Sequence, residues 1–310
     1  MGNAGRRCQW NLGWHRGSTT SAEDSEYPHG FDRGVLRGGF VGQTDWAAGV
    51  DTTRAHAARV YNWMLGGRHY FPADREAGEK LAKITPYFPL ASRANRAFLR
   101  RVVSFLAQKG IRQFLDIGAG LPSDGNVHEI APQARVVYVD NDPVVLAHGR
   151  ALVAPETDRV RYIGGDARHP EEIRYNAEVR NFIDWDEPLA ILMIGLLHFI
   201  SDEDKPQSTI DFFRHAVPPG SYVAVSHATC DGFTPPRSAA IAEVYRDTVS
   251  PTWMRTREQV QELMSGFPEM VAPGLVYVPN WHPDKPHQGA PAEVLGVYGG
   301  VATVPAWIAG

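Results

Sequence analysis

Cysteine is almost absent from this chain. Cys8 and Cys230 are the only two in 310 residues, too few and too far apart for a disulfide framework or a cysteine-based metal site. No apolar run approaches the roughly 20 residues needed to span a bilayer. Arg6 and Arg7 are followed by residues such as Asn11, Gly13, Trp14 and His15, with no apolar stretch of the kind a signal peptide carries. A cytoplasmic protein with no membrane partner is therefore expected. Excess positive charge is missing too: 31 Lys and Arg against 35 Asp and Glu leave a formal net charge of −4. That balance argues against a surface built to coat nucleic acid. The His and carboxylate residues are scattered, with no pair at zinc-like spacing, so no metal is expected.

What the chain does have is a change of pattern partway along. Residues 1 to about 48 are rich in Gly, Ser and Thr without sustained periodicity, and are expected to form a disordered tail in which Trp10, Trp14 and Trp46 are stray aromatics. From Thr53 the pattern turns helical. Ala57, Val60, Tyr61, Met64 and Leu65 fall on one helical face, and Gly66-Gly67 stops the helix because glycine accepts the left-handed conformation at a helix end. Further helices are predicted over Ala73–Lys83 and Ser92–Lys109, the latter with Phe98, Val102, Phe105 and Leu106 on one side. Residues 49–110 thus read as a helical cap. Residues 111–310 then alternate strands with helices. The strands are expected at Gln113–Ile117, Arg135–Val139, Val160–Ile163, Ala190–Ile194 and Tyr222–His227. Helices are predicted at Pro143–Leu152, after Pro170, and at Gln207–Ala216. Apolar strands alternating with helices mean an α/β, Rossmann-like parallel sheet covered on both faces. A helix near Thr256–Met264 leads to Leu275–Val278 and Val294–Tyr298, read as a closing antiparallel pair.

In open parallel sheets ligands lie beyond the carboxyl ends of the strands, so the residues after each strand carry the information. The first strand runs into Asp116-Ile117-Gly118-Ala119-Gly120. Two glycines so spaced let the backbone turn sharply against a ligand. The third glycine of a dinucleotide fingerprint would fall at position 123, which is serine. Asp116, moreover, would repel a pyrophosphate, whereas it attracts a sulfonium nucleoside with a free ammonium group. The spelling favours S-adenosylmethionine over a nicotinamide cofactor. The second strand ends in Asp140-Asn141-Asp142-Pro143, and Asp140, 24 residues beyond Asp116, is placed to accept from ribose hydroxyls. Asp142 suits capping of the helix opened by Pro143. After the third strand, Asp166-Ala167 would read the adenine edge. After the fourth, Gly195 opens an apolar run that would floor the cofactor, with His198 facing the methyl group or a structural partner.

Beyond these strand ends, the sequence resembles the actinobacterial S-adenosyl methyltransferase family first catalogued as the DUF574 group. The resemblance runs from about Asp51 to Val301. It rests on Ala58-Arg59-Val60-Tyr61-Asn62 with Leu65-Gly66-Gly67, Ala73-Asp74-Arg75-Glu76, Arg93-Ala94-Asn95-Arg96-Ala97-Phe98-Leu99, Gln113-Phe114-Leu115-Asp116-Ile117-Gly118, Val137-Tyr138-Val139-Asp140-Asn141-Asp142-Pro143 and Ser226-His227-Ala228-Thr229. It implies a seven-stranded methyltransferase sheet preceded by the cap. It also implies that Tyr61, Asn62, Gly66, Gly67 and Arg93 lie against the cofactor, Arg93 as partner of its carboxylate. Two departures stand out: the helix between Ser123 and Ala134 is short for the family, and His169 replaces an acid before Pro170.

Methyl transfer from a sulfonium is an in-line displacement that depends chiefly on positioning and exclusion of water. Should the acceptor lose a proton, His198, His227 and Tyr245 are the candidate catalytic groups. Tyr87, Phe88 and Trp281 are candidates for an aromatic acceptor pocket, with core packing as the alternative. Methyltransferases similar to this chain occur among natural-product tailoring enzymes, some acting on indole C3 of tryptophan-containing cyclodipeptides. The expected acceptor is a small molecule of that kind. A non-catalytic protein that binds the same cofactor and a nicotinamide-dependent oxidoreductase are the competing classes.

Overall fold

The computed structural model describes residues 50–153, 157–284 and 290–305; the tail expected over residues 1–48, with its three tryptophans, lies outside them. Three helices come first: α1 (Ala57–Met64), α2 (Pro72–Ile84) and α3 (Phe88–Gln108). The predicted stop after α1 is present, with Gly66 at φ +84. Six helices and five parallel strands follow: β1 (Gln113–Ile117), α4 (Val127–Ile130), β2 (Arg135–Asp140), α5 (Pro143–Leu152), β3 (Val160–Gly164), α6 (Pro170–Tyr175), α7 (Ala177–Phe182), β4 (Ala190–Ile194), α8 (Pro206–Ala216), β5 (Tyr222–Ala228) and α9 (Pro235–Arg246). The chain ends with α10 (Arg257–Leu263), β6 (Val276–Tyr277), α11 (Ala292–Leu295) and β7 (Val297–Thr303). Val294, expected in the last strand, belongs to α11. Gly296 at φ +61 ends that helix and turns the chain into β7.

The sheet has seven strands in the order β3-β2-β1-β4-β5-β7-β6. β7 runs antiparallel to both neighbours, so it lies between β5 and β6. The order reverses between β1 and β4, which opens a crevice at their carboxyl ends.

Alternation along each strand divides the core into two layers. Leu115, Ile117, Val137, Val139, Ile191 and Met193 meet Ile173, Ile210 and Phe213 on one face. Phe114, Val136, Tyr138, Leu192 and Ala224 meet Phe98, Leu99 and Val102 of α3 on the other. Trp281 is buried in this second layer, edge-on to Phe98 at 5.4 Å between ring centroids. It is a core residue and no part of an acceptor pocket.

The cap has its own apolar cluster, in which Val60 and Met64 of α1 and Ala77 and Leu81 of α2 meet Ile241 and Tyr245 of α9 and Met254. It therefore draws on two distant stretches of chain. Arg59, 2% exposed, joins cap to sheet: its Nη1 is 3.6 Å from Asp74 Oδ2 and its Nε 3.3 Å from Asp142 Oδ2. Asp142 caps α5 as expected, accepting from Val144 N at 2.9 Å.

Candidate active site

Asp116 follows Phe114 by two residues, and Asp140 follows Tyr138 by two. Alternation therefore turns both acids to the α3 face of the sheet. Adjacent parallel strands bring them to the same end, where both line one cavity of about 410 Å³. Gly118 and Gly120 follow at φ +73 and +68, a left-handed backbone that side chains with Cβ resist. The turn they make brings Gly120 N to 2.8 Å from Asp140 Oδ2. Asp140 Oδ1 accepts from Asp142 N at 2.9 Å. Burial pushes the Asp116 carboxyl up to about 7, the Arg96 guanidinium pulling against the rise and the Asp140 carboxylate adding to it. Burial likewise raises Asp140.

Above the acids lies α3, tied to its neighbours by a hydrogen-bond chain. Ser226 Oγ donates to Asn95 Oδ1 at 2.6 Å, Asn95 Nδ2 to the Tyr61 hydroxyl at 3.2 Å, and Tyr61 to Ser92 O at 2.9 Å. Tyr61 is thus in the cavity wall as implied. Arg93 is not: it is exposed and outside the cavity, while Arg96 lines it. The reason is helical phase, since Arg93 precedes the buried Asn95 by two residues, about 200° around the helix. Arg96 donates to Asn126 Oδ1 at 2.7 Å and keeps a buried Nε without a hydrogen-bond partner among the described residues.

Asn62, Gly66 and Gly67 are also outside the cavity. Asn62 Oδ1 accepts from His69 N at 3.1 Å, and a Cβ at Gly67 would meet that oxygen at 2.3 Å. These three residues shape the end of α1.

Ala119, Asn141, Asp166, Ala167 and Gly195 all line the cavity as expected. Asp166 is gripped by the Arg168 guanidinium; burial raises its pKa, but hydrogen bonds from Arg168 outweigh that and hold it below the usual range. Thr209 Oγ1 donates to Ala167 O at 2.8 Å and fixes the loop.

Of the three candidate catalytic groups, two reach the cavity. His198 and Tyr245 line it; His227 does not. His227 follows Val225 on the face opposite Ser226, which is why the cavity misses it. Its ring is also spent, Nδ1 donating to Ala228 O at 2.7 Å and Nε2 accepting from Arg255 Nη1 at 2.9 Å. Burial, with His198 and Arg255 nearby, holds it neutral. Tyr87 and Phe88 line the cavity. Phe199, at the end of the apolar run after β4, joins them in the wall, as do Phe233 and Met254, unforeseen because they lie in loops well beyond the ends of β5 and α9.

The donor set suits a cationic nucleoside and not a pyrophosphate. Two buried carboxylates face the glycine turn. The N-terminus of α4, where a pyrophosphate would rest, is filled by the chain itself: Gly125 N donates to Glu129 Oε2 at 2.8 Å and Asn126 N at 3.3 Å. Among the described residues no cluster of three His, Cys, Asp or Glu could hold a metal ion, and no helix is long and apolar enough to cross a membrane.

A family model described as S-adenosyl methyltransferase matches residues 43–305. The chain is similar to the crystal structure of a DUF574 family protein from Streptomyces avermitilis, at 41% identity over 82% of this chain and 99% of that one, with a TM-score of 0.77. A protein of Thermobifida fusca assigned as a methyltransferase is 37% identical over 84% of this chain and 98% of that one, also with a TM-score of 0.77. No protein of curated function matches.

Proposed function

The chain belongs to the S-adenosyl methyltransferase family, and from that premise we propose that this S-adenosylmethionine-dependent enzyme methylates a small natural product. Indole C3 of a cyclodipeptide is the most specific form of that reading. The observation that carries the small-molecule reading is the cavity itself: about 410 Å³, with acids and glycine turn at the strand ends and the aromatic residues Phe88, Phe199 and Phe233 in the same wall. Sites for small molecules have this size and this mixture of apolar walls with a few placed polar groups. A cytoplasmic setting, where the methyl donor is made, goes with the proposal.

S-adenosylmethionine, when bound, supplies an electrophilic methyl group on a cationic sulfur. In our reading Asp116 faces the cationic end of that molecule, and Asp140 with Asn141 takes the ribose. Arg96 replaces Arg93 as the partner of the carboxylate, a role suited to its unpaired buried Nε. Asp166 and Ala167 border the adenine. Residues 49–110, reinforced by α9, cover the site and exclude water while residues 111–310 supply the sheet. The test is direct. Calorimetry with the demethylated donor, S-adenosylhomocysteine, should show binding, and labelled donor should pass its methyl to an acceptor from a natural-product panel. Absence of binding to well-folded protein rejects the donor site; binding without transfer to any acceptor favours a regulatory protein.

A further inference from the structure

We infer that the acceptor is a flat, oxygen-bearing arene, with a phenolic or carbonyl oxygen that accepts hydrogen bonds from His198 and Tyr245, and that no side chain of the enzyme takes its proton. This rests on the donor reading above and narrows the acceptor to one chemical class.

The argument begins with a tautomer. Ala228 N donates to His198 Nδ1 at 3.2 Å. A backbone N–H can only donate, so Nδ1 must be the bare nitrogen and the neutral ring carries its hydrogen on Nε2. Burial and the Arg255 charge push His198 down to about 3, so the ring stays neutral. Nε2–H has no partner among the described residues, and the residue lines the cavity. In this reading His198 is therefore a fixed donor and not a general base. Its position is fixed from behind as well: its carbonyl accepts from Trp253 N at 2.7 Å and Thr252 Oγ1 at 3.2 Å.

Tyr245 supplies the second donor. It is buried and lines the cavity, and its hydroxyl has no partner among the described residues. Burial raises its pKa further, so it remains a phenol. Phe199 links the two groups, its ring 4.3 Å from that of His198 and 5.8 Å from that of Tyr245. Phe88, Phe199, Phe233 and Met254 belong to one apolar cluster around them, a surface for a planar ring.

Beside these two donors the wall is apolar, and the cavity's acidic and imidazole side chains lie elsewhere in it. Tyr61 already donates to Ser92 O. Asp166 is held by Arg168, Asp204 lies near that same arginine, His56 sits beside Asp142, and Asp116 and Asp140 belong to the donor side. An alkylamine arrives protonated and, between His198 and Tyr245, would meet two donors and no side-chain base. An oxygenated arene needs no such base. Its electron pair forms the new bond to the methyl carbon as the carbon–sulfur bond breaks, the broken pair staying on sulfur. Its proton passes to bulk water, before transfer from a hydroxyl or after transfer from a ring carbon.

The test uses the full chain saturated with S-adenosylhomocysteine and titrates 4-nitrophenol, whose ionisation is read from its absorbance. Two donors aimed at its oxygen should lower its pKa on binding. Tyr245→Phe and His198→Leu should each remove part of that shift and weaken binding about ten-fold, the effect of losing one hydrogen bond to a charged group, with S-adenosylhomocysteine affinity unchanged. In turnover, hydroxyarenes should be methylated and benzylamine should not. Methylation of benzylamine overturns the inference, as does 4-nitrophenol that stays unbound or is unaffected by Tyr245→Phe, a variant chosen because it keeps the ring and its packing. Loss of S-adenosylhomocysteine binding in the unmodified chain would instead reject the donor site.

Discussion

Replacing Asp116 by Asn should make the empty protein more stable and a poorer binder of the methyl donor. The carboxyl is 4% exposed and titrates at about 7, against 3.8 for an ordinary Asp. Because the folded pKa is the higher one, this group's contribution to stability is fully present below about pH 4 and falls as pH rises to 7. A rise of about three pK units at ~1.4 kcal/mol each sets the loss at about 4 kcal/mol. The Asn variant has no such slope. Thermal denaturation of both proteins between pH 4.5 and 8 should show curves that diverge upward in pH, with the variant the more stable at pH 8. Donor binding moves the other way. A cation beside Asp116 restores its ionised form, so the wild-type affinity should increase up to tenfold per pH unit below 7 and level off above it, with proton release on binding. The variant should lose about thirty-fold or more, corresponding to at least ~2 kcal/mol for truncating one partner of a buried charge pair, and its affinity should not follow this titration. Calorimetry in two buffers of different ionisation enthalpy counts the proton. A variant that binds the donor as tightly as wild type, or is less stable at pH 8, refutes the electrostatic account of this site.

Other outcomes follow from the same geometry. Arg59→Met leaves Asp74 and Asp142 buried without their cation and should cost about 3–5 kcal/mol in urea denaturation. Gly118→Ala forces a Cβ to 2.7 Å from Leu196 Cδ1 at φ +73, so it should cost ~2 kcal/mol or more and abolish donor binding. Gly110→Ala, at φ +96 but with nothing within 4 Å, should cost ~1–2 kcal/mol and leave donor binding intact. His227→Gln should leave the shape of the pH–rate profile unchanged, because His227 is outside the cavity; a lost limb in that profile would reinstate it as a base.

The strands of the parallel sheet could be read from the sequence because each is a short run of apolar residues on both faces, bounded by polar turns. β1 and β4 have the limits expected from the pattern alone. α9 escaped notice because only Ser238, Ile241 and Tyr245 along it are buried, too sparse a stripe to show periodicity. Missing it hid the contribution of Ile241 and Tyr245 to the cap's apolar cluster, and with it the wall that carries Tyr245. The acids and glycines of the site lie at strand ends, where position follows from the strand itself. Residues contributed by helices and by β5 depend on rotational phase, and there Asn62, Arg93 and His227 fall outside the cavity. In α3 the buried stripe of Ser92, Asn95 and Leu99, beside the apolar face recognised from the sequence, is what brings Arg96 and not Arg93 to the cavity. Parity along β5 likewise sets His227 apart from Ser226.

The placement of β7 constrains how the molecule is assembled. Until residues 297–303 have been synthesised, β5 offers a bare row of backbone donors and acceptors along its full length. Such a row recruits any extended chain it meets. Leu295, Gly296 and Val297, which border the cavity, arrive at the same late moment. An edge left open while the chain grows calls for shielding, and a ribosome-bound intermediate halted before residue 297 should bind chaperones and lack the part of the cavity wall that Val297 supplies.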